Sequence, residues 1–146
     1  MKVKDILEVK GSRVVTISED TSVFEAMMVF AANRIGSLIV VDKEENILGI
    51  IGARDVLMAT LNHLEDIKTM KIDKIMTTNL IVARKNDDLD YVRAIMTKNR
   101  VRHLPIIDDK KLIGLISIGD VVSAQVNEKD VELRYYKDYI ADKYPG

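Results

Sequence analysis

The chain has 146 residues, of which 47% are hydrophobic, and this is enough to bury one ordinary core. Lys and Arg total 22 against 23 Asp and Glu, so the net charge of -1 offers no general attraction to nucleic acid or to an anionic membrane. The absence of cysteine excludes disulfides, thiolate catalysis and zinc–sulfur sites. The N-terminal stretch MKVKDILEVKGS lacks the apolar core of a signal peptide, and no apolar run reaches membrane-spanning length. The sequence therefore predicts a cytoplasmic protein with no membrane partner.

The sequence contains an internal duplication, and an internal repeat is strong evidence about the overall architecture. The segment NRIGSLIVVD (33–42) aligns with NRVRHLPIID (99–108) at a shift of 66 residues. Further along, GIIGARD (49–55) aligns with GLISIGD (114–120) at a shift of 65. Because the register persists between these segments, they indicate two copies of one unit. The predicted division is a first repeat over 1–67, a second repeat over 68–127 and a tail over 128–146.

Each repeat opens with a short strand and a helix. The segments RVVTI (13–17) and LIVA (80–83) are rich in β-branched residues and predict the strands. In the first repeat, Ser22 and Glu25 form a capping box ahead of an apolar stripe at helical spacing. In the second repeat, Asp88 stands at the position of Ser22 and can cap the equivalent helix.

Each repeat continues with two strands and a second helix. Short polar turns join SLIVV to ILGII in the first repeat and LPIID to LIGLIS in the second, which predicts two antiparallel hairpins. The closing helices are predicted to run from Asp55 to about Asp66 and from Asp120 to about Asn127. The order strand, helix, strand, strand, helix indicates an α+β fold with helices on one face of each sheet.

The other face of each sheet is also predicted to be buried. Val40 with Val41, and Ile50 with Ile51, are adjacent apolar pairs, whereas a half-exposed strand alternates apolar with polar residues. We therefore predict that the two β-α-β-β-α repeats are related by a pseudo-twofold axis and pack sheet to sheet. Functional residues are then expected where the repeats meet.

Polar groups of opposite character gather at the strand ends of the second repeat. Ser117 and Asp120 follow the last strand, while Arg102 and His103 begin the neighbouring strand beside Pro105. A carboxylate accepts hydrogen bonds from ribose hydroxyls, and Arg, His and Ser hold a phosphate, so the combination indicates a nucleotide. Each residue also has a simpler explanation: Asp120 as a helix N-cap, Ser117 as a turn hydroxyl, Arg102 as a solvated charge and His103 as an interface histidine.

Together these segments resemble a tandem pair of CBS domains, the arrangement called a Bateman module. The resemblance lies in RHLPIID and GLISIGDV of the second repeat, echoed by GSLIVVD and GIIGARDV of the first, and it extends from Met1 to about Asn127. It implies a free-standing regulatory module, an energy or metabolite sensor that binds AMP, ADP, ATP or S-adenosylmethionine between its paired sheets and requires no cofactor. It also implies a homodimer that acts on an unidentified target protein.

The resemblance assigns roles in the second-repeat cleft residue by residue. Asp120 would hold the ribose, Ser117 the phosphate or the ribose, and Arg102 and His103 the phosphate. The backbone around 80–82 would cradle the adenine. The residues expected in this cleft are Leu80, Val82, Val101, Arg102, His103, Pro105, Ser117 and Asp120.

The first-repeat cleft departs from that pattern. Gly52 replaces the hydroxyl, and Gly36 with Ser37 replaces the basic pair, although Asp55 remains. We therefore expect one strong cleft in the second repeat and a weak or empty cleft in the first. The residues expected in the first-repeat cleft are Val14, Thr16, Ile35, Gly36, Ser37 and Asp55.

Other features of the sequence bear on the alternative functions and ligands. No motif pairs a catalytic base with a nucleophile, binds zinc or cradles a phosphate with glycines, so neither an enzyme nor a metal site is predicted. Arg102 would disfavour the sulfonium of S-adenosylmethionine, and the near-neutral charge argues against nucleic acid. The remaining alternative is a structural, protein-interaction dimerisation module with empty clefts.

The tail over 128–146 carries four of the five tyrosines. Leu133, Tyr136, Ile140 and Tyr144 recur at helical steps, which predicts an amphipathic helix. A short amphipathic helix needs a surface to pack on, either its own domain or a second chain.

Overall fold

The computed structural model describes residues 1–126 and 133–138, which form helices, short strands and their connections. The elements of the N-terminal half are α1 (Val3–Lys10), β1 (Thr16–Ser18), α2 (Val23–Asn33), β2 (Ser37–Val41), β3 (Ile47–Gly52) and α3 (Ala53–Asn62). A 3₁₀ turn (Ile72–Lys74) precedes α4 (Leu89–Asn99), β4 (His103–Asp108), β5 (Lys111–Ser117) and α5 (Ile118–Gln125). The α+β fold with two repeats is confirmed, and no helix in the described part of the chain is long and apolar enough to cross a membrane.

The two sheets differ by one strand. In the first repeat β1 pairs in parallel with β2, and β2 pairs antiparallel with β3. In the second repeat β4 and β5 form the predicted antiparallel hairpin, but the predicted strand over 80–83 is wrong. That segment makes a single parallel bridge, in which Ala83 bonds to the backbone of Pro105 and Ile107 at 3.0 and 2.9 Å. The chain then turns away, because the Asp87 carboxylate accepts a hydrogen bond from the Arg84 N–H at 2.8 Å.

The helix ends confirm the duplication in detail. Both α2 and α4 end on a left-handed arginine, Arg34 at φ 52° and Arg100 at φ 54°. The predicted capping box is present at α2, where the Ser22 hydroxyl accepts from the Glu25 N–H at 3.0 Å. The predicted Asp88 cap is wrong: Asp88 occupies the N-cap position of α4, but its side chain makes no capping bond and lies 3.8 Å from the Lys2 ammonium.

Each repeat has its own hydrophobic core, and each core is completed by a segment from outside the strand–helix unit. Val3 and Ile6 of α1 lie in the core of the second repeat, whereas Ile72 lies in the core of the first. The two segments are equivalent, since Lys2 and Lys71 make matching backbone bridges, to Asp88 and Ser22 respectively. The N-terminal helix α1 thus packs on the second repeat, although it precedes the first repeat in the sequence.

Two glycines make room for these segments. A Cβ on Gly114 of β5 would lie 2.6 Å from the Leu7 side chain, and a Cβ on Gly49 of β3 would lie 2.8 Å from both the Met76 side chain and the Thr77 carbonyl oxygen. At Gly49 the Thr77 carbonyl leaves no room for a Cβ, so a glycine is needed there, whereas at Gly114 the end of the Leu7 side chain would have to move to admit one.

Strands β2 and β4 are buried on both faces, whereas Val41 and Ile50 of the predicted apolar pairs are only half-buried. Leu38 and Val40 of β2 belong to the first core, while Ile39 between them points to the opposite face and is equally buried. In β4 the same pattern places Leu104 and Ile106 in the second core and buries Pro105 on the opposite face. This opposite face is the one that the predicted sheet-to-sheet packing covers.

The predicted tail helix is only partly within the described residues. Positions 133–138 are helical, and Leu133 and Tyr136 are exposed there. Ile140 and Tyr144, which complete the predicted stripe, lie outside the described residues.

The packing of α1 on the second repeat can be tested by truncating a buried side chain. Ile6 is 6% exposed, so Ile6→Ala is expected to lower the free energy of unfolding by about 2–5 kcal/mol in urea titrations. Val9 is 91% exposed on the same helix, and Val9→Ala should change it by less than about 0.5 kcal/mol. Equal effects of the two substitutions would contradict this packing.

Candidate functional site

The strand ends of the second repeat place three predicted residues side by side. His103 at the start of β4 pairs with Ser117 at the end of β5. Ser117 is the N-cap of α5, and its hydroxyl accepts from the Asp120 N–H at 3.0 Å. In return, the Asp120 Oδ2 accepts from the Ser117 N–H at 2.8 Å. Ser117 and Asp120 therefore form a reciprocal capping box, in which the N-cap is Ser117 and not Asp120 as the simpler interpretation of the sequence had it.

A residue that the sequence did not single out also reaches this strand end. Lys10, the last residue of α1, donates to Asp120 Oδ2 at 2.6 Å and to the Leu115 carbonyl oxygen at 2.8 Å. Both this bond and the capping bond fall on Oδ2, so Oδ1 takes part in neither. Lys10 had no sequence signal because it lies far from Asp120 in the chain and meets it only through the packing of α1 on the second repeat.

The local charges fix the ionisation of Asp120 and His103. Burial is the largest influence on Asp120 and raises its pKa, but hydrogen bonds from Lys10 and Ser117 and the Lys10 charge together hold the pKa below its ordinary value. Burial lowers the pKa of His103, and the positive charges of Lys10 and Arg102 lower it further against the opposing effect of Asp120. At neutral pH the strand end therefore presents a carboxylate, a neutral imidazole and two cations.

The remaining residues expected in the second-repeat cleft lie around this strand end but are not all on one cavity. Arg102 is exposed and lines, with Val101 and Arg100, a cavity of about 650 Å³ at the end of α4. Asp120 and Lys10 line a different groove of about 370 Å³ between α1 and α5. Val82 is exposed and Leu80 half-buried, both next to the bridge that ties their segment to β4, and Pro105 is buried on the face opposite the core.

The first repeat builds the same strand end with smaller groups. Ser37 pairs with Gly52, and the Asp55 Oδ2 accepts from the Gly52 N–H at 2.8 Å. Ser37 is buried, and its hydroxyl has no hydrogen-bond partner within residues 1–126 and 133–138. Gly36 lies against the other repeat, since a Cβ there would be 3.1 Å from Cε1 of the His103 ring.

The other residues expected in the first-repeat cleft are spread apart. Val14 and Thr16 line a polar cavity of about 630 Å³ that also contains Lys110 from the turn between β4 and β5 and Lys111 at the start of β5. Ile35 instead packs against the first core. The structure thus brings Gly36, Ser37 and Asp55 to the strand end and places Val14 and Thr16 on a separate cavity.

Comparison with known proteins identifies this duplicated architecture. The family model of the CBS domain matches the chain twice, over residues 3–62 and 72–127. A mitochondrial CBS domain-containing protein of Arabidopsis thaliana is 33% identical, covering 97% of this chain and 73% of the relative. The inosine-5'-monophosphate dehydrogenase of Methanocaldococcus jannaschii is 38% identical over 82% of this chain, which spans only 23% of that enzyme.

Solved structures agree in fold over most of the chain. A CBS-domain containing protein from Agrobacterium tumefaciens is 36% identical, with a TM-score of 0.82 over 86% of this chain and 100% of the other. The CBS domain pair of protein MJ0100, in complex with 5'-methylthioadenosine and S-adenosyl-L-methionine, is 28% identical with a TM-score of 0.74 over 85% of this chain and 94% of the other. The chain therefore belongs to the CBS-domain family and carries a tandem pair of CBS repeats.

Proposed function

We propose that this protein is a non-catalytic regulatory module that binds an adenine nucleotide of the AMP, ADP or ATP type at the strand end of the second repeat. The observation that carries the proposal is the Asp120 carboxylate, whose Oδ1 takes part in neither the cap nor the Lys10 bond, beside His103. A carboxylate oxygen accepts from a ribose hydroxyl, and the cations Lys10 and Arg102 suit a phosphate. The adenosine-containing ligands of the MJ0100 domain pair support the adenosine part.

S-adenosylmethionine is the second candidate, because the MJ0100 domain pair was solved with it. Its sulfonium is a fixed positive charge, however, and it would enter a site where Lys10 and Arg102 both act on the His103 ring. Like charges in a partly buried site repel, so a phosphorylated ligand fits this strand end better.

Regulation would follow from a change in how the two repeats are arranged. The His103 ring that flanks Ser117 also touches Gly36 of the first repeat, so a ligand at the second-repeat strand end lies next to the inter-repeat contact. A ligand that prefers one arrangement shifts the population toward it, and a target protein would recognise that arrangement.

A cytoplasmic location stays a prediction, and the relative from Arabidopsis thaliana is named as mitochondrial.

We also propose that the protein is a homodimer, joined through the helices of the first repeat. Met28 of α2, Leu57 and Leu61 of α3, and Leu64 just beyond α3 are between 58% and 70% exposed. Several large apolar side chains exposed near one another mark an interaction surface, and a second copy of the chain offers the same surface.

The ribose contact can be tested with a substitution that keeps the cap. In Asp120→Asn the amide oxygen can still accept from the Ser117 N–H, but the charge is lost. AMP or ATP affinity, measured by calorimetry, should weaken about tenfold or more, as expected for a charge-assisted hydrogen bond. The duplicate offers a matched control, because Asp55→Asn makes the same change at the first repeat and should leave the tight site intact.

If the wild-type protein binds no adenosine compound, the module with empty clefts becomes the better account. Unchanged affinity in Asp120→Asn would instead remove Asp120 from the site.

The difference between the repeats predicts the number of ligands bound. Only the second strand end combines a hydroxyl, an imidazole and cations, so calorimetry should give one tight nucleotide site per chain. Two equally tight sites per chain would refute this asymmetry.

The dimer surface can be tested by placing a charge on it. Leu61 is 70% exposed on α3, and Leu61→Glu should convert the dimer to a monomer in sedimentation equilibrium, since a buried unpaired carboxylate is costly. Asn62→Glu adds the same charge one residue further along the helix and should leave the dimer intact. A wild-type protein that is monomeric at all concentrations would disprove the proposal.

A further inference from the structure

We infer that Lys10 is a specificity-determining residue of the second-repeat site, which makes this site prefer phosphorylated adenosine ligands to uncharged ones. The inference rests on the proposed function, because it concerns the same site at Asp120. Lys10 lies outside both strand-end motifs and comes from the helix that precedes the first repeat.

The backbone of Lys10 is held in place by the packing of α1. Val3 and Ile6 are buried in the core of the second repeat, and Leu7 fills the space beside Gly114. The helix ends directly after Lys10, where Gly11 takes φ 90° and its N–H bonds to the Leu7 carbonyl oxygen at 2.8 Å. The position of the ammonium next to Asp120 therefore follows from the fold and not from a chance surface contact.

The two bonds of Lys10 place its charge inside the site. Its ammonium donates to Asp120 Oδ2 and to the Leu115 carbonyl oxygen, and the Lys10 and Asp120 side chains are only 39% and 26% exposed. The charge also reaches His103, on which Lys10 acts more strongly than Asp120 does. Without Lys10, the Asp120 carboxylate would repel a phosphate attached to the ribose that it binds.

An uncharged ligand meets the opposite situation. A ribose diol that uses both carboxylate oxygens must compete with Lys10 for Oδ2, and an uncharged ligand offers the displaced ammonium nothing in return. A phosphorylated ligand supplies a new anion for the ammonium, which sits on a flexible four-carbon stem. Lys10 therefore weakens the binding of adenosine relative to that of AMP.

The first repeat lacks an ion pair like the one between Lys10 and Asp120. Lys71 and Met76 stand where Lys2 and Leu7 stand in α1, but the chain after Met76 does not continue as a helix, since Thr77 makes an antiparallel bridge to Ile50. Within residues 1–126 and 133–138 no lysine or arginine forms an ion pair with Asp55, so the first strand end lacks the contact that Lys10 makes with Asp120. The same residue thus accounts for a preference between ligands and for a difference between the two clefts.

The test compares two ligands and three variants by calorimetry on the full chain. For the wild type, AMP should bind more tightly than adenosine, and in Lys10→Met this preference should fall about tenfold or more, by loss of AMP affinity, gain of adenosine affinity, or both. Lys10→Arg should retain the preference, which shows that the site still folds when residue 10 changes. Lys4→Met removes a lysine from the exposed face of the same helix and should leave the preference unchanged.

The outcomes separate this inference from the proposed function. Wild-type protein that binds both ligands, with the same preference in Lys10→Met, overturns the role of Lys10 and leaves the nucleotide site standing. An equal fall in Lys4→Met would show a general charge effect and also overturns it. Wild-type protein that binds neither ligand overturns the nucleotide site and the role of Lys10 together.

Discussion

Leu7 packs directly over Gly114, where a Cβ would lie 2.6 Å from the Leu7 side chain, and the placement of α1 depends on the packing around this contact. It joins α1 to β5, so the first helix of the chain completes the core of the second repeat. Lys10 stands three residues after Leu7, where Gly11 ends α1, and its ammonium meets Asp120 and the Leu115 carbonyl oxygen. The first repeat repeats the arrangement, since Met76 and Thr77 cross β3 at Gly49. The constraint is therefore a property of the fold, whereas the charge delivered by Lys10 belongs to the second repeat alone.

The sequence predicted the parts of the fold that depend on local patterning. The apolar pairs and polar turns of the two hairpins predicted β2 to β5, and Ser22 with Glu25 predicted the start of α2. The shared strand-end frame also brought Ser117, Asp120 and His103 to one place, because the register of β4 and β5 follows from a short turn.

The parts that were missed depend on contacts between distant segments. The segment 80–83 has the composition of a strand but finds a partner only at Ala83, since the chain turns at Asp87. Asp88 has a capping side chain but directs it toward Lys2, which arrives from α1. Lys10 was missed because nothing in the local sequence indicates that α1 packs on the second repeat.

The capping box at the second strand end does not by itself explain the residues found there. The first repeat begins α3 with almost the same backbone, Gly52 at φ -95° and ψ 160° against Ser117 at φ -103° and ψ 163°. Gly52 has no hydroxyl, yet the bond from its N–H to the aspartate is as short as that of Ser117, 2.8 Å in both cases. Gly36 and Ser37 likewise start β2 without an arginine or a histidine. The fold thus forms the start of β2 without an arginine or a histidine, so packing and capping leave Arg102 and His103 unexplained, whereas the Ser117 hydroxyl is accounted for by its capping bond. Lys10 donates to Asp120 and His103 pairs with Ser117, whereas Arg102 lines a separate cavity. The phosphorylated ribose proposed as ligand is what Lys10, Asp120 and His103 suit.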